Sequence, residues 1–195
     1  TPTPTVAAPT PVAPTEVVVA IGPGSVARYR VREQFARVTL PNDAVGETLE
    51  LTGSVVFDAK GAVQANRSKI TVNVRTLRSD ESDRDDYLRT ESLETDQFQQ
   101  AEFVVEATPG LPWPLPKEGL VAFQLQGSMT VRGVTSPTTW EVTARFSPGG
   151  VEGQGKTSFT FDKFRMKRPS AFFLISVENN IRLELDLVAS IQPRG

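Results

Sequence analysis

The amino-acid sequence predicts an all-β domain of antiparallel strands, each with one apolar and one polar face. From Val17 onward, apolar residues alternate with polar ones at the period of two that places successive side chains on opposite faces of a sheet. Turn signals containing Gly or Pro separate these runs, and a single stretch near the middle of the chain has a helical pattern instead. Together, these observations predict a sheet that buries one face.

The C-terminal strand shows the alternation most clearly, because Ile181, Leu183, Leu185 and Leu187 alternate with charged residues. The other predicted apolar faces are Tyr29, Val31 and Phe35; Leu49, Leu51, Val55 and Phe57; Ile70, Val72 and Val74; Val121, Phe123 and Leu125; and Trp140, Val142, Ala144 and Phe146. Turn signals at 58–61, 132–137 and 147–150 predict strands over 118–131, 138–147, 151–162 and 178–190. Long one-sided strands favour a barrel, although a two-sheet sandwich satisfies the same periodicity.

The stretch 79–99 interrupts the strands. It is acidic, contains neither Gly nor Pro, and places its negative charges where the positive end of a helix dipole stabilises them. We therefore expect one short helix near 83–95. A calcium loop is the alternative, but the acidic spacing and late Glu of such a loop are not found in this stretch.

Composition indicates one folded domain over residues 17–195, since 38% of the residues are hydrophobic and 23% are charged. Residues 1–16 consist almost wholly of Pro, Thr, Ala and Val, and we expect a disordered tether there. Such a tether suits an extracytoplasmic domain that is secreted, periplasmic or held at a cell surface, contacting a membrane only through an N-terminal anchor that would precede it. A net charge of −2 argues against nucleic acid as a partner.

The chain contains no His and no Cys, which removes imidazole and thiolate chemistry and predicts a protein that is not an enzyme. Catalysis through carboxylates remains as a minor hypothesis, with Glu33 as its candidate because this residue lies in phase with the apolar face of Tyr29 and Val31. Glu33 either sits at a barrel mouth or in a salt bridge to an Arg, or it is a polar anchor for a ligand. Trp113, in a Pro-rich loop, either tucks over the barrel end or anchors on a membrane or partner.

Several segments together resemble the YceI-like family of polyisoprenoid-binding, periplasmic or secreted proteins. Residues 84–90 (RDDYLRT) resemble the helical segment of that family, and residues 127–140 (GSMTVRGVTSPTTW) resemble its characteristic hairpin. The resemblance extends over about residues 25 to 190. The chain departs from the family where Glu33 and Tyr87 stand in positions that are commonly His. Either any head-group contact made by those histidines is replaced here, or the ligand differs.

The resemblance implies an antiparallel lipocalin-like β-barrel of about eight strands. It also implies non-catalytic storage or transport of a long apolar lipid, a polyisoprenoid or quinone-like molecule, with a homodimer possible and no cofactor or metal expected. A structural or adhesive surface-displayed β domain is the alternative. The residues expected to bind the ligand are Tyr29, Val31, Glu33, Phe103, Val105, Phe123, Leu125, Met129, Trp140, Val142, Phe159, Phe161, Leu183 and Leu185, with Phe172 and Phe173 as a lid or rim.

Overall fold

The computed structural model describes residues 15–35, 40–169 and 174–194. The strands are β1 (Glu16–Ile21), β2 (Val26–Phe35), β3 (Asn42–Thr48), β4 (Leu51–Asp58), β5 (Lys69–Asn73), β6 (Gln100–Ala107), β7 (Gly119–Val131), β8 (Val134–Ser147), β9 (Gly150–Phe159) and β10 (Leu174–Arg194). One α-helix, α1 (Ser82–Tyr87), continues into a π-helical turn, Leu88–Ser92. Short 3-10 turns are formed by Ala65–Arg67, Val74–Thr76 and Phe161–Phe164.

Eight of the strands form a closed antiparallel barrel. The order around the ring is β1-β4-β5-β6-β7-β8-β9-β10, and the last part of β10 pairs back with β1. The first part of β10 pairs instead with β2, which in turn pairs with β3, so these two strands extend the sheet outside the ring. The predicted barrel, its strand number and the single short helix are thereby confirmed.

The inner face of the ring is the hydrophobic core. Along β8, for example, alternate residues from Thr138 to Phe146 are buried while the intervening ones are exposed, as the period-two pattern requires. The rings of Phe103 and Trp140 lie 6.2 Å apart in the middle of the barrel, and those of Phe159 and Phe164 lie 4.8 Å apart near the end where β9 finishes. All four side chains are buried.

The two ends of the barrel are closed by different segments. At one end, which we call the loop end, the Pro-rich segment 108–118 and the β8–β9 turn at 147–150 cover the opening. At the other, which we call the helix end, lie residues 79–99, including α1, and the β7–β8 turn at 132–133. That turn has positive φ angles at Arg132 (51°) and Gly133 (69°), as a two-residue hairpin turn with the twist of its strands requires.

Two details of the expected pattern are wrong. Leu49 is not on an inward face but is 71% exposed, because it lies in the β3–β4 turn, where Thr48 and Leu51 take the buried positions. The predicted turn at 132–137 contains only residues 132–133, since β8 begins at Val134 and Pro137 is accommodated opposite Ser128 within the ladder.

Some expectations fall outside the described residues. Residues 1–14, most of the expected tether, lie there, as do Phe172 and Phe173, the expected lid or rim. Within the described parts of the chain, no helix has the length and apolarity needed to span a membrane.

Candidate functional site

An apolar cavity of about 80 Å³ lies inside the barrel at the loop end. Its walls come from seven of the ring strands and from the segment that covers the opening, and the only polar side chain among them is that of Thr108. The lining residues are Val19, Ile21, Val55, Phe57, Ile70, Thr108, Leu111, Leu115, Phe123, Leu125, Val142, Ala144, Phe146, Val151, Gly153, Leu187 and Ala189. Such a surface attracts an apolar ligand by desolvation and offers almost nothing for a directed polar contact.

Small residues on neighbouring strands explain why the space is found at this end. Ala144 of β8 is paired with Gly153 of β9, and Ala189 of β10 lies on the same wall. A Cβ atom added to Gly153 would come within 2.7 Å of the Ala144 Cβ, so these two backbones approach closely and project little volume inward. Farther into the barrel, the Trp140 ring instead covers Gly155, and the interior is filled.

The segment over the cavity is held by Trp113. Its indole Nε1 donates a hydrogen bond to the carbonyl oxygen of Ala59 at 3.2 Å, and its ring packs against Phe57 and over Gly61. Gly61 has a φ of 85° and no side chain, and a Cβ there would lie 2.5 Å from the indole ring. Of the two expected orientations of Trp113, the structure shows the one tucked over the barrel end.

The helix end contains a buried ion pair. The Nη2 atom of Arg84 donates a hydrogen bond to Oε1 of Glu33 at 2.6 Å, and the two side chains are only 15% and 8% exposed. Arg84 also donates to Asp80 at 2.6 Å and to the Ser79 hydroxyl at 3.1 Å. Burial disfavours the charged guanidinium, but its hydrogen bonds with Asp80 and Glu33 outweigh that effect, so the pKa of Arg84 is raised. The salt-bridge interpretation of Glu33 is therefore the one the structure shows.

Tyr29 lies beside this ion pair. Its ring lies over Gly46 of β3, where an added Cβ would stand 2.2 Å from a ring carbon, so only glycine leaves room for it. Within the described residues, its hydroxyl has no hydrogen-bond partner. Burial raises the pKa of Tyr29 to about 12, because the ionised phenolate would lose its hydration.

The expected ligand-binding residues are divided between these regions. Phe123, Leu125 and Val142 line the cavity. Tyr29 and Glu33 lie at the helix end, and Leu183 is only partly buried. The remaining described members of the set are buried in the core without lining the cavity: Val31, Phe103, Val105, Met129, Trp140, Phe159, Phe161 and Leu185.

Sequence reasoning missed most of the cavity wall because it selected large apolar residues in inward phase. A cavity instead requires small residues in that phase, and Ala144, Gly153 and Ala189 supplied this signal in the sequence. Leu111 and Leu115 lie in a Pro-rich loop without periodicity, so no pattern could place them inward.

A closed antiparallel barrel with an apolar internal cavity defines the class of the protein: small β-barrels whose interior accommodates an apolar group. Within that class, the family model of the YceI-like domain matches residues 25–189, and the chain belongs to this family. No curated protein matches the sequence significantly.

Solved structures of low sequence identity share the fold. BcnA of Burkholderia cenocepacia superposes with a TM-score of 0.63 at 17% identity, covering 85% of this chain and 96% of that chain. A polyisoprenoid binding domain from Saccharophagus degradans, described as implicated in plant cell wall breakdown, gives 0.63 at 11% identity, with coverages of 90% and 98%. The YceI protein of Campylobacter jejuni gives 0.59 at 12% identity, with coverages of 80% and 90%.

Proposed function

We propose that this protein binds a long apolar lipid, of the polyisoprenoid or quinone-like class, inside its barrel, and that it stores or transports the lipid without chemically changing it. The observation that carries the proposal is the loop-end cavity, whose walls are apolar except for Thr108. Family membership and the structural similarity to a domain described as polyisoprenoid binding support it.

Binding would be driven by desolvation. Each methylene group transferred from water into the barrel contributes about 0.8 kcal/mol, so affinity should rise with chain length until the available space is filled. Ligand pockets for drug-sized molecules typically span roughly 300–1,000 Å³. The cavity of about 80 Å³ therefore accommodates the end of a lipid tail, and a longer chain requires the covering segment to move.

The absence of catalysis is part of the proposal. The chain has no His or Cys, and the buried carboxylate of Glu33, the candidate for carboxylate catalysis, accepts a hydrogen bond from Arg84. An extracytoplasmic location is also proposed, and the Thr/Pro-rich composition of residues 1–16 supports it. A homodimer remains a proposal for which no contact surface is identified.

The first test is to extract the purified protein with organic solvent and to identify its passenger by mass spectrometry. A second arm titrates the delipidated protein with cis-parinaric acid, a fluorescent apolar probe, and displaces the probe with farnesol, geranylgeraniol and a long polyprenol. We expect an isoprenoid passenger and displacement that strengthens with chain length. No passenger together with no probe binding would contradict the proposal and would favour the structural or adhesive alternative.

Substitutions in the cavity wall test whether the lipid binds in the cavity. Ala144→Leu adds bulk to the cavity wall and should weaken probe binding at least about tenfold, and Val151→Phe, at the same wall, is a second route to the same result. Ala122→Leu adds the same bulk to the exposed face of β7 and is the matched control. Unchanged binding in both wall variants would show that the cavity is not the binding site.

A further inference from the structure

The cavity has a second, outer space beside it. A groove of about 260 Å³ on the loop end is lined by Leu115, Pro116, Lys117, Ser147, Pro148, Gly149 and Ile191. Leu115 belongs to both linings, so this residue lies between the interior of the barrel and the outer groove.

The segment that carries Leu115 makes few hydrogen bonds to the sheet. Its first part is fixed by backbone hydrogen bonds from Leu111 to Thr108 and from Gln124 to Pro109. Across 112–118, no backbone hydrogen bond or ion pair connects the segment to any other described residue, and three of these seven positions are prolines, which lack an N–H. The Trp113 indole is thus the main side-chain anchor of this stretch.

At the helix end, ion pairs connect the segments that close the barrel. Arg132 forms an ion pair with Glu94 and donates a hydrogen bond to the carbonyl oxygen of Arg165 at 3.2 Å. Glu33 and Arg84 form the buried pair described above. Opening this end would separate the buried charges of Glu33 and Arg84, which is strongly unfavourable because each would remain without its partner.

We propose that lipid enters and leaves the barrel at the loop end, between the 111–117 segment and the β8–β9 turn, and that Leu115 is the gate residue. The inference rests on the proposed function. The tail then occupies the cavity, the chain passes the Leu115 position into the outer groove, and the polar head lies beside Lys117 and Ser147. The ligand class this arrangement fits is a single long apolar chain with a polar terminus.

The test measures association and dissociation rates of cis-parinaric acid by stopped-flow fluorescence on the full chain. Leu115→Ala should raise both rates about tenfold, because it removes the burial that keeps the gate closed. The association rate is decisive, since loss of a ligand contact alone would raise only the dissociation rate. Trp113→Ala, which frees the segment from Ala59, should act in the same direction and is the second variant.

Two controls separate gating from general loosening. Leu120→Ala removes a leucine that is 62% exposed at the same end and should leave both rates unchanged. Arg132→Ala loosens the helix end and should leave the association rate unchanged. The gate proposal is wrong if association becomes faster in Arg132→Ala, or if it is unchanged in both Leu115→Ala and Trp113→Ala. Either result would leave the proposed lipid binding untouched. Failure of the unmodified protein to bind the probe would overturn the proposed function and the gate with it.

Discussion

The loop end and the helix end of the barrel are closed by opposite kinds of chemistry. At the loop end, leucines and a tryptophan from a Pro-rich segment cover an apolar cavity. At the helix end, Arg84 of α1 forms a buried ion pair with Glu33 of β2. This difference is the basis of the proposal that a ligand enters at the loop end while the helix end stays closed.

The largest expected effect contrasts the packed middle with the cavity wall. Phe103→Ala should lower the free energy of unfolding by about 3–5 kcal/mol, because Phe103 is buried against Trp140 and leaves a void. Phe123 is only partly buried and lines the cavity, so Phe123→Ala should lower the free energy of unfolding by only about 1–2 kcal/mol. Urea denaturation of both variants checks this, and equal losses would mean that the loop end is as tightly packed as the middle.

The next effect concerns the ion pair of the helix end. Arg84→Ala should destabilise the protein by about 3 kcal/mol, because it leaves the carboxylate of Glu33 buried without its partner. Arg89→Ala removes an arginine whose partner, Asp86, is 70% exposed, and it should cost less than about 1 kcal/mol. Thermal unfolding measures both values.

A double variant sharpens the interpretation of that loss. Glu33→Leu combined with Arg84→Leu removes both charges, and it should be more stable than Arg84→Ala alone. If the double variant is no more stable than the single one, then the packing of Arg84, and not the unpaired charge of Glu33, accounts for the loss.

The smallest effect is expected at alkaline pH. The folded-state pKa of Tyr29, about 12, lies above its ordinary value near 10, so the stability that its protonated hydroxyl supports is fully present below about pH 10 and is lost as the pH rises through about 12. Tyr29→Phe should abolish this loss in the free energy of unfolding, which is at most about 2 kcal/mol. Urea denaturation between pH 10 and pH 12 measures the free energy of unfolding of the unmodified protein, of Tyr29→Phe and of the control Tyr87→Phe. If all three lose the same free energy over this range, ionisation of Tyr29 does not cause the loss.

Much of the barrel could be predicted from the sequence, because one-sided burial imposes a period of two on every strand. The periodicity locates all four strands after residue 118, although β8 and β10 are each longer than predicted and β9 ends earlier. The acidic, Gly-free composition locates the helix. Closure into a ring depends on β10 pairing with β1, across almost the whole length of the chain, and the local pattern contains no sign of that contact. The barrel was therefore expected from family resemblance.

The site was harder to predict than the fold. The period-two alternation identifies which residues face the interior, but it does not show where a cavity lies. Trp140 and Ala144 are on the same predicted face, although Trp140 fills the interior and Ala144 lines the cavity. The partner of Glu33 was also beyond the sequence, since Arg84 lies 51 residues away and meets it only through the packing of the helix end.

Hydrogen exchange followed by mass spectrometry, with and without a bound long polyprenol, tests most directly the claim that the loop end holds the lipid. We expect the polyprenol to slow exchange in 108–118 and in the loop-end halves of β7 and β8, and to leave exchange in residues 79–99 unchanged. Slower exchange confined to residues 79–99, or no change anywhere despite saturating lipid, would contradict it.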